Sequence, residues 1–306
     1  MSTLWNEIRE EFQESRHKKI RQKYIHQYFK ETGRNFVLYA TDFISGSKPG
    51  LLTMLNDADK QLFSDTVREL DPQKNLDVMI ESPGGIGTVA EAIADMLRSR
   101  FNSVRFIVPN MAKSAATILC LSGDEILMNE QSEIGPIDPQ MQVRQPNGDV
   151  TYSPAHIIIE QFKTMLATIA NNQVVGRALA PYLQMYFPSF LQECQNAIGL
   201  SKTIAIKLLT NYMFKNNPEA VIIAGNAADK LAEFQNHLSH SRALGIQYAT
   251  DELKLKIYDL RTQPKLDKIV RKIYLSVKET FNQNPRFVKI CENSQGHGSI
   301  LQINLP

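Results

Sequence analysis

Two short segments of the chain carry residue types that could perform acyl transfer. The first, Glu81–Gly87 (ESPGGIG), follows a run of apolar residues and precedes a predicted helix. Gly84 can adopt backbone conformations that are closed to other residues, and it lets a substrate approach the main chain. Its N–H, at the carboxyl end of a strand, could bind a developing oxyanion. A turn that needs only flexibility would have the same sequence, so this segment alone leaves both interpretations open.

The second segment is Val108–Leu119 (VPNMAKSAATIL), in which a predicted strand ends and Ser114 opens an apolar helix. The first N–H groups of a helix have no partner within it, so the amide of Ala115 is available beside the serine hydroxyl. The pattern predicts a nucleophile at a strand–helix turn, although the GxSxG consensus is absent. The alternative is a helix N-cap, the commonest role of serine at such a position.

The spacing of the two segments favours catalysis. Ser82 and Ser114 lie 32 residues apart, the length of one βαβ unit. Both turns are therefore expected at the same edge of adjacent parallel strands, where open α/β folds place their sites. Gly84 and Ala115 would then direct two N–H donors at one oxyanion beside Ser114.

The elements that must position these turns alternate along the first half of the chain. Strands are predicted at 35–41, 76–81, 103–108 and 124–128, with helices between them at 57–70, 88–100 and 115–121. This order indicates βαβ crossovers and a largely parallel sheet, hence the α/β class. We predict an N-terminal amphipathic helix at 1–33, an α/β domain at 34–235, and a helical C-terminal extension with a tail at 236–306. Within that extension, the pattern predicts one helix over 250–282.

Composition excludes several classes of protein. The 306 residues are 43% hydrophobic and 22% charged, as in ordinary globular chains, and a net charge of +2 predicts no nucleic-acid partner. Three cysteines without a CxxC motif fit a reducing compartment, and no metal site is predicted. His237 and His240 lie three residues apart without a third ligand, so we expect them at solvent or at an interface.

No apolar stretch approaches the ~18–20 residues that cross a bilayer, so no transmembrane segment is predicted. Residues 1–11 are too acidic and polar for a signal peptide, and the expected location is the cytoplasm.

Four ordered motifs resemble a known family. They are Ser82-Pro-Gly-Gly, Lys113-Ser-Ala-Ala, Gly123-Asp-Glu-Ile and Gly135-Pro-Ile-Asp-Pro-Gln. Together they resemble the Clp protease/crotonase fold and most closely the serine dehydrogenase proteinase family, a relative of signal peptide peptidase A. The resemblance covers roughly residues 36–140 and continues more weakly through 237–245. It implies a Clp protease/crotonase-like catalytic domain, with a parallel sheet and βαβ crossovers, at 34–235.

The resemblance also implies roles for single residues. Ser114 would be the acyl nucleophile of a serine peptidase, with the backbone N–H groups of Gly84 and Ala115 as its oxyanion hole. Asp138 would lie in a loop near the site; a turn in which Asp138 caps a backbone amide is the alternative. The family implies a homo-oligomer that contacts its copies through the terminal helices and acts on a peptide or protein without a cofactor. The chain has no P-loop, so ATP hydrolysis is not expected.

The general base is the part of the site that the sequence leaves open. Clp proteases place a histidine after the strand that follows the nucleophile helix, but here no histidine lies between Ser114 and His156. Signal peptide peptidase A and its relatives use a Ser-Lys dyad, in which a desolvated lysine with a lowered pKa accepts the serine proton. The resemblance then makes Lys163, in an otherwise apolar helical stretch, the predicted base. His156, Lys113 and a solvent-facing Lys163 are the alternatives.

Two other functions fit the same fold. A catalytically inactive scaffold would keep the architecture and lack a competent base. A crotonase-type acyl-CoA enzyme would also bind a thioester oxyanion with two amides, but it needs an acid–base carboxylate and no serine in front of the hole. We predict an ATP-independent serine peptidase that hydrolyses peptide bonds through an acyl-enzyme on Ser114.

Overall fold

The computed structural model of the chain describes residues 4, 7–8, 17–45, 48, 50–144, 147–183, 186–233 and 239–303. Its helices are α1 (His17–Thr32), α2 (Gly50–Thr53), α3 (Asp57–Arg68), α4 (Gly87–Arg100), α5 (Ala115–Cys120), α6 (Ala155–Asn171), α7 (Gln173–Leu183), α8 (Pro188–Leu208), α9 (Ala220–Ala232), α10 (Ile246–Asp251) and α11 (Pro264–Gln283). Its strands are β1 (Asn35–Thr41), β2 (Leu76–Glu81), β3 (Val104–Val108), β4 (Met111–Ala112), β5 (Glu125–Met128), β6 (Glu133–Ile134), β7 (Gln140–Arg144), β8 (Val150–Pro154), β9 (Ile257–Asp259), β10 (Phe287–Asn293) and β11 (Gly298–Gln302). Most of the first half of the predicted N-terminal helix lies outside the described residues.

A seven-stranded sheet forms the centre, in the order β11-β10-β1-β2-β3-β5-β9. Strands β1, β2, β3, β5 and β9 are parallel, whereas β10 runs antiparallel to β1 and β11 antiparallel to β10. Every residue of β1 and of β2 is buried, which explains why these strands are nearly continuous apolar runs in the sequence. The predicted α/β class with a parallel sheet is confirmed.

The sheet has a hydrophobic core on each face. Successive side chains of a strand point to opposite faces, so Val78 and Ile80 of β2 enter one core and Met79 enters the other. The first core packs against α3, α4, α5, α8 and α9. The second packs against α1 and α11, whose apolar faces are thus buried on their own sheet. Helices α6 and α8 and strand β7 also contribute to a third, smaller cluster around Ile158 and Cys194.

Residues 287–302 differ from the expected helix and tail. They form β10 and β11, and β10 pairs with β1 from Val37↔Asn293 to Thr41↔Lys289. The helix predicted over 250–282 is interrupted by β9, which pairs with β5, and it begins again at Pro264, whose fixed φ suits a first helical position. Pairing with a strand some 250 residues away leaves no local pattern from which these strands could be predicted. The division into three regions at 33 and 235 stays a prediction.

Buried ion pairs fasten β10 to the elements around it. Lys289 Nζ lies 2.6 Å from Asp59 Oδ2 and donates a hydrogen bond of 2.8 Å to the Met54 carbonyl. Arg21 of α1 pairs with Glu292 at 2.5 Å, and both side chains are buried. A buried charge is tolerated only when it is paired and hydrogen-bonded, and all four charges meet that condition. Strand β10 therefore fixes the segment around Met54, which borders the turn at Gly84.

A helix that crosses a bilayer must be both long and apolar. No helix within the described parts of the chain is both.

Candidate active site

A short ladder of four backbone segments lies beyond the ends of the central strands. Ser82 pairs in parallel with Ala112, Ala112 of β4 pairs in parallel with Ile134 of β6, and Ile134 pairs antiparallel with Leu244. The segment around Leu244 runs antiparallel to the other three. Residues that precede Leu244 therefore lie at the same end of the ladder as residues that follow Ser82, Ala112 and Ile134. We call this arrangement the four-segment ladder. It brings four distant parts of the chain to one edge of the fold.

Ser114 follows the second segment and has an unusual backbone. Its φ is 49° and its ψ is −119°, and among the described non-glycine residues only Ser114 and Lys254 have positive φ. Such a conformation costs of order 1–3 kcal/mol and persists only where the surrounding structure enforces it. The side chain is half-buried and makes no capping hydrogen bond to α5. Ser114 therefore occupies an N-cap position without performing the capping role.

Gly84 lies directly against Ser114. A methyl group built on Gly84 would stand 2.7 Å from Ser114 Cβ, 3.0 Å from Ala115 N and 2.5 Å from the Lys113 carbonyl oxygen. Its φ of +98° is also a value that side chains disfavour. Only glycine fits this position, because the serine turn passes where a side chain would be. The structure thus brings Gly84, Ser114 and Ala115 together.

The two backbone amides of this turn differ in their partners. The Gly84 N–H donates to Ser82 Oγ at 3.2 Å, a long bond within the same turn. The Ala115 N–H has no acceptor among the described residues, as expected for the first N–H of a helix. Both residues are buried, whereas Ser114 is only half-buried. The Ala115 N–H therefore has no acceptor in the described chain, and the Gly84 N–H makes only a long hydrogen bond within its own turn.

A neighbouring segment holds the glycine turn in place. Leu55 N donates to the Gly84 carbonyl at 2.7 Å, and Ile86 N donates to the Leu55 carbonyl at 3.0 Å. A methyl group on Gly85 would meet the Leu55 carbonyl oxygen at 2.3 Å, so this glycine too is required by a close approach. Leu55 follows Met54, the residue fixed by Lys289. The end of β2 and the lysine of β10 together determine where the turn lies.

Asp138 and His240 form a side-chain pair that the sequence analysis did not identify. His240 Nδ1 lies 2.8 Å from Asp138 Oδ1, and the other carboxylate oxygen accepts from Gln140 Nε2 at 2.8 Å. The Asp138 side chain is 2% exposed and that of His240 is 29% exposed. The only sequence signal for this pair was the weak resemblance that continues through 237–245. His237, the other histidine considered for a metal, lies outside the described residues.

Lys113 connects the serine turn at Ser114 to the segment that carries His240. Its Nζ lies 2.7 Å from Glu133 Oε1 and 3.4 Å from the Arg242 carbonyl oxygen. A methyl group on Gly135 would collide with Lys113 Cδ at 2.6 Å, so Gly135 packs closely on this side chain. The Lys113 ammonium is engaged with its neighbours, and it fixes the third and fourth segments of the ladder against the second.

The two other predicted bases lie on α6. The Lys163 side chain is exposed, so the desolvation expected to activate it does not act on it within this chain. His156 lies 3.6 Å from Glu160 on the same helix. Within the described residues, no hydrogen bond or ion pair joins Lys163 to Ser114. The role of Lys163 therefore stays a prediction.

Glu81, the last residue of β2, is buried on the opposite face of the strand from Ser82. It accepts hydrogen bonds from Asn110 Nδ2 at 2.8 Å and from Met111 N at 3.0 Å. Burial penalises its charged form and raises its pKa to about 7. It borders a cavity of about 100 Å³ that Tyr274 and Lys278 of α11 also line.

Within the described residues, no cluster of histidine, cysteine and carboxylate side chains could hold a metal ion.

Comparison with known families locates these turns in a protease-like segment. Residues 51–162 match the sequence model of the ClpP-like SDH-type serine proteinases. The matched segment includes Gly84, Ser114, Ala115 and Asp138, and it ends before His240. The resemblance and the ClpP-like fold expected from the four motifs are thus confirmed for this segment.

Two relatives match over shorter stretches. An uncharacterized protein of Methanocaldococcus jannaschii, MJ0137, is 37% identical over 75 residues, which are 24% of this chain and 26% of that protein. A second uncharacterized protein of the same organism, MJ1495, is 35% identical over 66 residues, which are 22% of this chain and 23% of that protein. The chain thus spans about a quarter of the length of these relatives.

Two solved structures of the membrane-bound stomatin-specific protease 1510-N are also similar. A serine-to-alanine mutant has 16% identity and a TM-score of 0.41, covering 70% of this chain and 78% of that chain. A lysine-to-alanine mutant in complex with a substrate peptide has 15% identity and a TM-score of 0.40, covering 81% and 83%. Neither similarity assigns a role to a residue of this chain.

The close contact at Gly84 predicts that even a methyl group is costly there. Gly84→Ala should lower the free energy of unfolding, measured in urea, for two reasons. The positive φ strains any side chain, and the overlap of the methyl group with main-chain atoms should cost about 1–3 kcal/mol in addition. Gly148→Ala is the matched control, since Gly148 has a similar φ of +89° and nothing within 4 Å of the added methyl group. Equal losses in the two variants would contradict the described contact.

The raised pKa of Glu81 predicts a pH-dependent stability. The folded state holds the Glu81 proton more tightly than the unfolded chain, where the ordinary pKa is 4.5. Its contribution is therefore fully present below about pH 4.5 and is lost as pH rises through about 7. Because glutamine cannot ionise, Glu81→Gln should gain stability over the parent with rising pH, by about 3 kcal/mol at pH 8. Urea unfolding between pH 5 and pH 8, with the exposed Glu69→Gln as control, measures this; a pH-independent difference would contradict it.

Proposed function

We propose that this protein is a serine peptidase that forms an acyl-enzyme on Ser114. The observation that carries the proposal is the strained, half-buried Ser114 in contact with Gly84, beside the Ala115 amide that has no acceptor in the described chain. Backbone strain at a non-glycine residue concentrates at functional sites, and here no capping bond of its side chain accounts for it. The match of residues 51–162 to a serine proteinase family supports the same assignment.

The chemistry follows from the two amides. As Ser114 Oγ attacks the peptide carbonyl carbon, negative charge develops on the carbonyl oxygen. The N–H groups of Gly84 and Ala115 would donate to that oxygen, and one such donor is worth about 10²–10³ in rate. For Gly84, the oxyanion replaces Ser82 Oγ as the acceptor, an exchange that favours the transition state because a charged acceptor binds more strongly than a hydroxyl. Collapse of the tetrahedral intermediate leaves an acyl-enzyme that water hydrolyses.

The Ser-Lys dyad with Lys163 remains a proposal of the family resemblance. Since the Lys163 side chain is exposed, a substrate or a second copy of the chain would have to cover it to supply the desolvation that a Ser-Lys dyad requires. The homo-oligomer implied by the resemblance could provide that cover. Peptide or protein substrates, action without ATP and a cytoplasmic location are parts of the same proposal.

One observation, the strained backbone of Ser114, separates the peptidase from both of its rivals. A crotonase-type acyl-CoA enzyme has no use for a strained serine in front of two amides, so the Ser114 backbone favours covalent catalysis. A non-catalytic scaffold would have no reason to maintain a conformation that costs of order 1–3 kcal/mol.

Labelling with a fluorophosphonate probe tests the proposal, because the probe reacts with activated serines. The parent protein should be labelled on Ser114, as identified by mass spectrometry of its peptides. Ser114→Ala should lose the label, and Ser122→Ala, which removes a buried serine just beyond the other end of α5, should keep it.

A folded parent protein that takes up no probe would contradict the peptidase and favour the scaffold. A label on another residue would remove Ser114 from the mechanism. Hydrolysis of a fluorogenic casein without nucleotide, lost in Ser114→Ala, would extend the result to peptide bonds.

A further inference from the structure

We propose that Glu81 positions the serine turn at Ser114 against the glycine turn at Gly84, and that its ionised form does this best. The inference rests on the proposed acyl-enzyme function and adds a residue on which the spacing of the two oxyanion donors depends. Glu81 is the last residue of β2, is 3% exposed, and lies on the opposite face of the strand from Ser82. It therefore acts through the backbone rather than on the substrate.

Pairing between β2 and its neighbour is interrupted directly before the two turns. Met79 of β2 pairs with Ile107 of β3. Pairing resumes at Ser82 and Ala112, so one chain advances three residues over this interval and the other advances five. The additional residues lie in the connection from β3 to β4. Extra residues in one strand leave backbone groups without a partner in the ladder, so another acceptor is needed there.

The Glu81 carboxylate supplies the acceptors at this interruption. Its Oε2 accepts a hydrogen bond from Met111 N at 3.0 Å, and its Oε1 accepts one from Asn110 Nδ2 at 2.8 Å. Backbone bonding begins again at the next residue. Ser82 N donates to the Met111 carbonyl and Lys113 N donates to the Ser82 carbonyl, each at 3.0 Å. The carboxylate thus joins the first two segments of the four-segment ladder where the backbone alone does not.

This link lies at the same sequence distance from both turns. Gly84 follows Glu81 by three residues, and Ser114 follows Met111 by three. The two turns are in contact, since a methyl group on Gly84 would stand 2.7 Å from Ser114 Cβ. A change in the separation of Glu81 from Met111 is therefore transmitted to a contact that has no free space. An oxyanion needs both donor nitrogen atoms within ~2.7–3.1 Å, so a small displacement slows acylation.

Ionisation determines how strongly Glu81 holds its two donors. A carboxylate accepts at both oxygens, and hydrogen bonds to a charged acceptor are stronger than those to a neutral one. In the neutral form one oxygen carries the proton and donates, so one of the two N–H groups loses its acceptor. The charge is costly to the fold, because burial raises the pKa of Glu81 to about 7. Glutamine would serve the fold alone at lower cost, whereas holding both donors requires the charge.

The ionisable groups around Glu81 come from the elements packed against it: Asp42 directly after β1 and its partner Lys48, Glu133 of β6 and its partner Lys113, and Tyr274 and Lys278 of α11. Burial has the largest effect on the pKa of Glu81. The two hydrogen bonds and the Lys278 ammonium lower this pKa, and repulsion from Glu133 raises it. Burial, followed by the Glu81 charge, raises the pKa of Tyr274, so this tyrosine stays neutral where Glu81 titrates.

The ratio of the fluorophosphonate labelling rates of the parent and of Glu81→Gln tests the inference between about pH 5 and about pH 9. The ratio should be near 1 at the acidic end, where both side chains are neutral. It should rise with a midpoint near pH 7 to about tenfold, less than the loss of a whole oxyanion donor. Ionisation of the general base affects both proteins and cancels in the ratio.

Two variants and a stability measurement serve as controls. Glu69→Gln, at an exposed glutamate, should keep a ratio near 1 at every pH. Lys278→Gln removes a charge that lowers the pKa of Glu81, so the midpoint should move to higher pH while the rate at about pH 9 stays the same. In urea at pH 8, Glu81→Gln should be more stable than the parent although it is labelled more slowly. A residue with a structural role alone would change rate and stability in the same direction.

Three outcomes would overturn the inference. They are a parent-to-variant ratio that does not change with pH, a slower Glu81→Gln that has also lost stability at pH 8, and a midpoint that Lys278→Gln leaves in place. In each case a parent labelled on Ser114 leaves the acyl-enzyme proposal standing. A parent that is never labelled on Ser114 rejects the proposed function and the role of Glu81 together.

Discussion

The absence of a side chain at Gly84 is the constraint on which the candidate site depends. The serine turn passes through the space that a Cβ at Gly84 would occupy, within 2.7 Å of Ser114 Cβ. This contact fixes the glycine amide and the Ala115 amide as neighbours of one hydroxyl. The serine that it faces has a φ of 49°, which a non-glycine residue rarely adopts. The strained serine, the Gly84 turn and the Ala115 amide therefore meet at one close approach.

Elements far from the site hold that approach in place. β10, the next to last strand of the central sheet, carries Lys289, whose ammonium binds Asp59 and the Met54 carbonyl. The adjacent Leu55 receives and donates the backbone bonds that position the Gly84 turn. On the other side, Lys113 ties the serine turn to the segment of His240. The contacts that hold the site thus come from residues between Met54 and Lys289, so they extend beyond the segment 51–162 that matches the family.

The sequence predicted the parts of this arrangement that depend on local pattern. The strands that contain Val78 and Phe106 are continuous apolar runs, and the glycine and serine turns follow them directly, so adjacent parallel strands brought the turns together. The pairing of β10 with β1 and the Asp138–His240 pair could not be predicted, because the partners are distant in the chain; 102 residues separate Asp138 from His240. The apolar residues around Lys163 in the sequence predict a buried lysine, whereas its side chain is exposed. Neighbours in sequence do not show which face of a helix a residue occupies, because a helix places successive residues on different faces.

The most direct test of the central claim is a crystal structure of the fluorophosphonate adduct. The account predicts phosphorus bonded to Ser114 Oγ and one phosphonyl oxygen ~2.7–3.1 Å from the nitrogen atoms of both Gly84 and Ala115. In that structure the Gly84 N–H would have exchanged Ser82 Oγ for the phosphonyl oxygen. A phosphonyl oxygen directed to solvent, with the Gly84 N–H still bonded to Ser82 Oγ, would contradict the account.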